Sequence, residues 1–252
     1  MNDPKSVLIT GGTGKIGKVL VAHFLACGHV VVTTGRNKER LAEITDRAAT
    51  SKLHFIEIDL EKEGAAAAII DFLEKNHVKP SCLINNVRNL QHLKLNDRFM
   101  PDRRDWIGEF LLGVVVAYEL AMELAQMKGS ALEAIINVAS IYGIVAPNRR
   151  LHADFDKDSP IHYGVVKAAL IHLTKELAVR LADKNIRVNT VSYGGVEGRV
   201  AEQFKKRYAE LCPNGRMLND NDLTGAIDFL ISHNSLAVTG HNLVVDGGWT
   251  VW

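Results

Sequence analysis

The sequence predicts an α/β fold: one domain over residues 1–252, with a parallel sheet between two layers of helices. Two observations predict it. Short β-branched and apolar runs alternate with longer stretches whose apolar residues recur at helical spacing. The short runs are apolar almost throughout, as strands covered on both faces are. Right-handed crossovers then wind the helices onto both sides of a doubly wound sheet.

Ser6 to Thr10 is the first strand, ending at Gly11, and Ile16 to Ala26 is the first helix, stopped by Gly28. Val30 to Thr34 is the second strand, followed by a polar-rimmed helix over Lys38 to Ala49. Leu53 to Ile58 is the third strand, ending at Asp59, with a helix from about Glu63 to Asn76. Cys82 to Asn85 is the fourth strand; a long helix covers Asp105 to Met127, and Ala134 to Val138 is the fifth strand. The helix Ile161 to Leu181 leads into the sixth strand, Arg187 to Ser192. Leu223 to Ile231 is a late helix, and Leu243 to Val245 the last strand before Asp246-Gly247-Gly248. No repeat or linker divides the chain.

With 47% hydrophobic and 23% charged residues, 252 residues suffice for one sizeable core. A formal net charge of +1 carries no electrostatic footprint for nucleic acid. Cys27, Cys82 and Cys212 are widely spaced with no C-x-x-C pair, which indicates neither a disulfide framework nor a zinc site. The histidines show no metal-ligand spacing, and no metal is expected. There is no signal-peptide pattern and no run long enough to span a bilayer. The expectation is a soluble, cytoplasmic protein acting on a small molecule, with no nucleic-acid or membrane partner.

Thr10-Gly11-Gly12-Thr13-Gly14-Lys15-Ile16-Gly17 lies between the first strand and first helix. Glycines there let the backbone approach a pyrophosphate, and the helix N-terminus favours its charge, as in a Rossmann-type turn. The second strand ends Thr33-Thr34-Gly35-Arg36, with no acid to bond ribose hydroxyls. Arg36, together with Lys15, favours NADP(H) over NAD(H), because an Arg suits a 2′-phosphate; the alternative is a solvated surface charge. Asp59 accepts a hydrogen bond from an adenine amine or caps the next turn.

Tyr163 and Lys167 stand four residues apart on a predicted helix and so share one face. An ammonium beside a phenol favours the phenolate, moving it from a free pKa of about 10 towards general acid/base duty. The neighbouring His162 points about 100° away, against a catalytic role.

Together these residues resemble the short-chain dehydrogenase/reductase family. The resemblance spans nearly the whole chain: the glycine turn, Asp59-Leu60, Asn85-Asn86, Asn137-Val138-Ala139-Ser140, Tyr163 to Lys167, Ile186-Arg187-Val188-Asn189 and Asp246-Gly247-Gly248. It implies an NAD(P)-dependent oxidoreductase, a homodimer or homotetramer, with Tyr163 as acid/base, Lys167 assisting it and holding the nicotinamide ribose, and Ser140, just beyond the fifth strand, bonding the reacting oxygen. Cofactor contacts are implied for Gly11, Thr13, Gly14, Lys15, Ile16, Gly17, Arg36, Asp59, Leu60, Asn85, Asn86, Val87, Tyr163, Lys167, Tyr193, Gly194 and Val196. The downstream texture, including Ile171-His172-Leu173-Thr174-Lys175 and Ser192-Tyr193-Gly194-Gly195-Val196, is similar to enzymes of bacterial surface-sugar and flagellin-glycan pathways.

The departures are informative. Lys15 replaces a family glycine, giving the glycine spacing of the extended, sugar-nucleotide-modifying branch. Asn85-Asn86-Val87-Arg88 puts bulk and charge near the cofactor, Tyr193-Gly194 replaces a proline-glycine, and Gly113 stands where the family's catalytic Asn is expected. A water, a neighbour such as Glu109, or different chemistry takes over that role. Arg88, Arg149 and Arg150 are candidate substrate anchors in long basic connections, suited to a carboxylate or phosphate, with a solvated charged loop as the alternative. Trp249 and Trp252 pack in a subunit interface or in the core. The leading expectation is a carbonyl–alcohol oxidoreductase for an anionic, sugar-derived substrate. A lyase or epimerase that recycles the hydride on tightly bound NAD(P), and a non-catalytic NAD(P)-binding sensor, are the alternatives.

Overall fold

The computed structural model describes residues 5–41, 50–198 and 200–252. One parallel sheet is built from β1 (Ser6–Ile9), β2 (Val30–Gly35), β3 (Leu53–Glu57), β4 (Cys82–Asn85), β5 (Ala134–Ser140), β6 (Arg187–Tyr193) and β7 (Asn242–Val245). The strand order is β3-β2-β1-β4-β5-β6-β7. The chain steps one way from β1 to β2 and β3, and the other way from β4 onward. That reversal opens a crevice beyond the carboxyl ends of β1 and β4.

The helices of seven residues or more are α1 (Lys15–Ala26), α2 (Ala65–Lys75), α3 (Arg103–Phe110), α4 (Val116–Gln126), α5 (Ile161–Arg180), α6 (Glu202–Leu211) and α7 (Gly225–Ile231). Alternation along the strands divides the core. Leu8, Val32, Leu83 and Ile135 meet Ile69, Leu73, Leu120, Leu124 and Leu177 on one side. Val7, Ile9, Val31, Ile84 and Ile136 meet Leu20, Val21, Phe24, Ile227 and Leu230 on the other. Each such side chain contributes about 1.5–3 kcal/mol by leaving water.

A buried polar ladder fixes α5 against the sheet. The Asn85 amide donates to Asn137 Oδ1 at 2.9 Å, and the Asn137 amide donates to Thr174 Oγ1 at 2.8 Å. Thr174 also meets Thr190 at 2.6 Å. The helix that carries Tyr163 therefore has its height above β5 set by hydrogen bonds as well as packing.

Three expectations are corrected. The long helix over 105–127 is two α segments joined by a π turn, Leu111–Val115. The fifth strand runs two residues further than its apolar run suggests, so Ser140 is its last residue, held by a full ladder to β6. Helix α6 was not predicted. Of the helix predicted over Lys38 to Ala49, Lys38–Leu41 is a 3-10 turn and 42–49 lie outside the described residues. Among the described residues no helix is long and apolar enough to cross a membrane.

Candidate active site

The glycine turn is built by close approach. A Cβ at Gly17 would lie 2.2 Å from Gly11 O and 2.7 Å from Gly12 Cα, both backbone atoms. Gly11 has φ +68°, and Val87 Cα stands 2.9 Å from where its Cβ would be. The turn is stitched to the end of β4: the Asn86 amide donates to Thr10 O (3.0 Å) and Gly11 O (3.2 Å). Thr10 Oγ1 accepts from the backbone N–H of Asn86 at 2.9 Å and of Val87 at 3.1 Å. Gly14 caps α1 in an extended conformation and Lys15 is the first helical residue.

A cavity of about 470 Å³ opens here, lined by Thr13, Lys15, Lys18, Arg40, Gly198 and Asp220 among others. Lys15 Nζ is 3.9 Å from Asp220 Oδ1. Three basic side chains at a helix N-terminus suit a phosphate-bearing ligand. Arg36, exposed at the end of β2, makes a long 3.5 Å contact to Asn89 Oδ1. Asn89 donates to Glu61 Oε1 at 2.7 Å, and Asp59 Oδ1 accepts from the Glu61 N–H at 3.2 Å, so Asp59 caps its own turn. Leu60 beside it is buried. The tight turn and its basic surround fit a dinucleotide.

The segment after β6 covers the other side. Tyr193 is buried and its hydroxyl donates to Leu223 O. Gly194 leaves no room for a side chain, because Asp246 Cα would be 2.9 Å from its Cβ. Val196 forms a parallel bridge with Leu218. Gly198 then lies against Lys15, and this brings the segment over the turn.

At the reacting end, Lys167 Nζ is 5.9 Å from the centre of the Tyr163 ring. Lys167 is buried and donates to Val138 O at 2.9 Å. Burial holds its pKa below the ordinary lysine value; Tyr163 and then Glu109 push it back up, while Arg88 adds to the lowering. Ser140 is buried at the end of β5, and its Oγ accepts from the Tyr142 N–H at 3.2 Å, which leaves the hydroxyl proton for another acceptor. The Tyr142 ring meets that of Tyr163 edge-on at 6.4 Å. Burial, with Tyr163 adding, pushes the Tyr142 phenol up to about 12, so it keeps its proton at neutral pH. The Arg88 guanidinium lies over the Tyr163 ring, 4.9 Å from its centre.

The other basic candidates are placed differently. Arg149 is 3.4 Å from Asp156 and stacked on Phe155, engaged by its own loop. Arg150 is exposed, its N–H donating to Asn148 Oδ1 at 2.9 Å. His162 is fully buried, with Nε2 at 2.5 Å from His92 O and Nδ1 without a partner. Trp249 stacks on Tyr208 at 4.3 Å inside the chain, whereas Trp252 is exposed and donates to Leu211 O. Sequence reasoning did not single out Asn89, which links Arg36 to Glu61, or Val166, which packs on Gly113; both depend on distant partners.

A cradle for a dinucleotide and a Tyr-Lys pair beside a strand-end serine, on one sheet edge, define a dinucleotide-dependent oxidoreductase. A family model described as enoyl-(acyl carrier protein) reductase matches residues 13–250. The chain belongs to the short-chain dehydrogenase/reductase family, and it is an NAD(P)-dependent oxidoreductase. It is 27% identical over 272 residues to post-translational flagellin modification protein A of Campylobacter coli, covering 99% of each chain. It is 30% identical over 254 residues to the 3-oxoacyl-(acyl-carrier-protein) reductase FabG of Chlamydia pneumoniae, covering 98% of this chain and 97% of that one. A short-chain dehydrogenase from Leptospira borgpetersenii, solved with bound NAD+, aligns with TM-score 0.81 at 30% identity over 98% of this chain and 93% of that one.

Proposed function

We propose that the protein interconverts a ketone and a secondary alcohol on an anionic, sugar-derived small molecule, with NADP(H) preferred over NAD(H), as a cytoplasmic homo-oligomer. The carrying observation is Arg88. An exposed guanidinium lies 4.9 Å from the centre of the Tyr163 ring, a cation beside the phenol that would protonate the reacting oxygen. A carboxylate one or two bonds from the carbonyl would pair with it in bidentate fashion. The likeness to the flagellin modification protein supports a sugar-derived skeleton. Arg36, with the basic cavity of Lys15, Lys18 and Arg40, supports the 2′-phosphate.

A nicotinamide cofactor held over the glycine turn would supply the hydride chemistry when bound. Tyr163 gives or takes the proton at the substrate oxygen, the Ser140 hydroxyl donates a hydrogen bond to that oxygen, and the Lys167 ammonium stabilises the phenolate.

Calorimetry with NADPH and NADH tests the cofactor, and a panel of keto sugar acids set against neutral ketoses of equal size tests the substrate. NADPH binds more tightly in the expected result, and Arg36→Ala narrows the gap. Arg88→Gln raises KM for the acids about ten- to a hundredfold, the scale of one charged hydrogen-bond pair, and leaves neutral ketoses unaffected. Equal rates on neutral compounds would sink the anionic reading. Product formation without net NADPH consumption would point instead to a hydride recycled within each turnover.

A further inference from the structure

Asn89 stands between the cation proposed for the 2′-phosphate and a carboxylate that would compete for it. It follows β4 by four residues and is buried, 8% exposed. Its Oδ1 accepts from the Gln91 N–H at 3.2 Å, capping the 3-10 turn Leu90–Leu93, and from Arg36 Nη2 at 3.5 Å. Its amide nitrogen donates to Glu61 Oε1 at 2.7 Å and lies 3.5 Å from His92 Nε2. The second Glu61 oxygen, Oε2, is 3.0 Å from that same His92 nitrogen. Asn89 and His92 thus engage both oxygens of Glu61.

These partners leave the amide one orientation. Turned over, its oxygen would face Glu61 Oε1, acceptor against acceptor, and its N–H groups would face the Gln91 N–H and a guanidinium. The oxygen end must therefore face Arg36. A neutral acceptor there orients the guanidinium without cancelling its charge, and the rest of the donor fork stays available to a ligand. A carboxylate in the same place would pair with Arg36 and compete with a phosphate. Glu61 is that carboxylate, one hydrogen bond away. His92, which helps to hold it, is fixed in turn. Its Nδ1 is 3.5 Å from Asp105 Oδ1, its ring fills the space where a Gly108 side chain would stand, and His162 bonds its carbonyl.

We propose that Asn89 is a positioning residue for cofactor selection: its oxygen aims Arg36 and its amide keeps Glu61 off it, so that a 2′-phosphate meets a guanidinium with its full charge. The proposal rests on the reading of NADP(H) as the preferred cofactor.

Exchanging the two polar groups tests this with net charge and shape preserved. Asn89→Asp combined with Glu61→Gln keeps the hydrogen bond between the two side chains, because the glutamine amide donates to the aspartate. The carboxylate now lies against Arg36. Calorimetry with 2′,5′-ADP and 5′-AMP reads the 2′-phosphate alone, and NADPH and NADH read the whole cofactors. The wild type is expected to prefer the phosphorylated member of each pair. In the exchanged protein that preference falls about ten- to a hundredfold, the scale of one charged pair, through weaker NADPH binding with NADH little changed. In an Arg36→Ala background the same exchange leaves the ratio where it was, since Asn89 acts through the guanidinium. A packing defect would instead weaken both cofactors alike, with or without Arg36. Asn89→Ala adds no charge and lets Arg36 turn to Glu61; the ratio should fall about three- to tenfold. That variant decides the matter if the exchanged protein does not fold. An undiminished preference in either protein, or an equal fall without Arg36, overturns the role of Asn89 and leaves the NADP(H) reading standing. A wild type indifferent to the 2′-phosphate overturns that reading and the proposal together.

Discussion

At residue scale, the pair Gly113 and Val166 explains how the site does without a side chain at 113. Their closeness brings the π turn onto α5. The missing side chain is legible in the sequence, because Gly113 is simply read there. The reason is not, because Val166 lies on another element and its contact has no local pattern. Two effects compete in Gly113→Ala. Helix propensity favours alanine by roughly 1 kcal/mol. Overpacking against Val166 Cγ1, 2.5 Å away, costs about 1–3 kcal/mol and wins. Chemical denaturation should therefore show Gly113→Ala destabilised. Adding Val166→Ala removes the clashing atom, so the double variant loses less than the two single losses predict together. Strict additivity would remove the steric account.

At element scale, the glycine turn shows how far a motif can be read and where reading stops. Its spacing and strand-to-helix position were enough to place it. The amide of Asn86 that holds it, and Gly198 lying against Lys15, come from elements far along the chain, and no local signal announces them. Strands β1, β2, β4 and β5 were legible because both their faces are buried, so nearly every position is apolar. Helix α6 was missed although Phe204, Tyr208 and Leu211 follow helical spacing; only Tyr208 is fully buried, and its stacking partner is Trp249. Strand order is not legible in the residues, because crossover handedness alone leaves the succession of neighbours open. The turn's geometry separates two substitutions. In Gly17→Ala the methyl meets backbone at 2.2 and 2.7 Å, which cannot yield as a side-chain tip does. Loss of NADPH binding by at least about tenfold is expected, with about 1–3 kcal/mol of stability. Gly14→Ala meets only Gly11 O at 3.3 Å with φ −78°, and should bind NADPH within a few-fold of wild type. Calorimetry of the two variants decides it; equal losses would show that the close approach at Gly17 is not what shapes the turn.

At the scale of the whole molecule, the site's supports and the surface are the same helices. Glu109 is on α3, and Tyr163 and Lys167 are on α5, whose outer sides expose Ile107 (59%), Ile161 (65%) and Val165 (48%). Val165 lies between the two reactive residues in sequence, so a surface that fixes it also fixes them. A second apolar region runs along α7 and the edge strand β7, with Phe229, Leu236 and Val244 exposed. An uncovered edge strand beside apolar side chains is a liability that a twofold contact removes. Two exposed apolar patches on different faces would suit a tetramer of twofold symmetry better than a dimer. Sedimentation equilibrium should therefore report a tetramer for the wild type. Val165→Glu buries an unpaired charge at one contact and leaves the other intact, so it should sediment as a dimer. Adding Val244→Glu should give a monomer. The dimer of Val165→Glu is expected to bind NADPH nearly as well as the tetramer, since the glycine turn is on another part of the sheet, yet to turn over more slowly because α5 loses its outer support. A Val165→Glu protein that remains a tetramer at full turnover would show that this face of α5 is solvated and that the helix needs no partner to hold Tyr163.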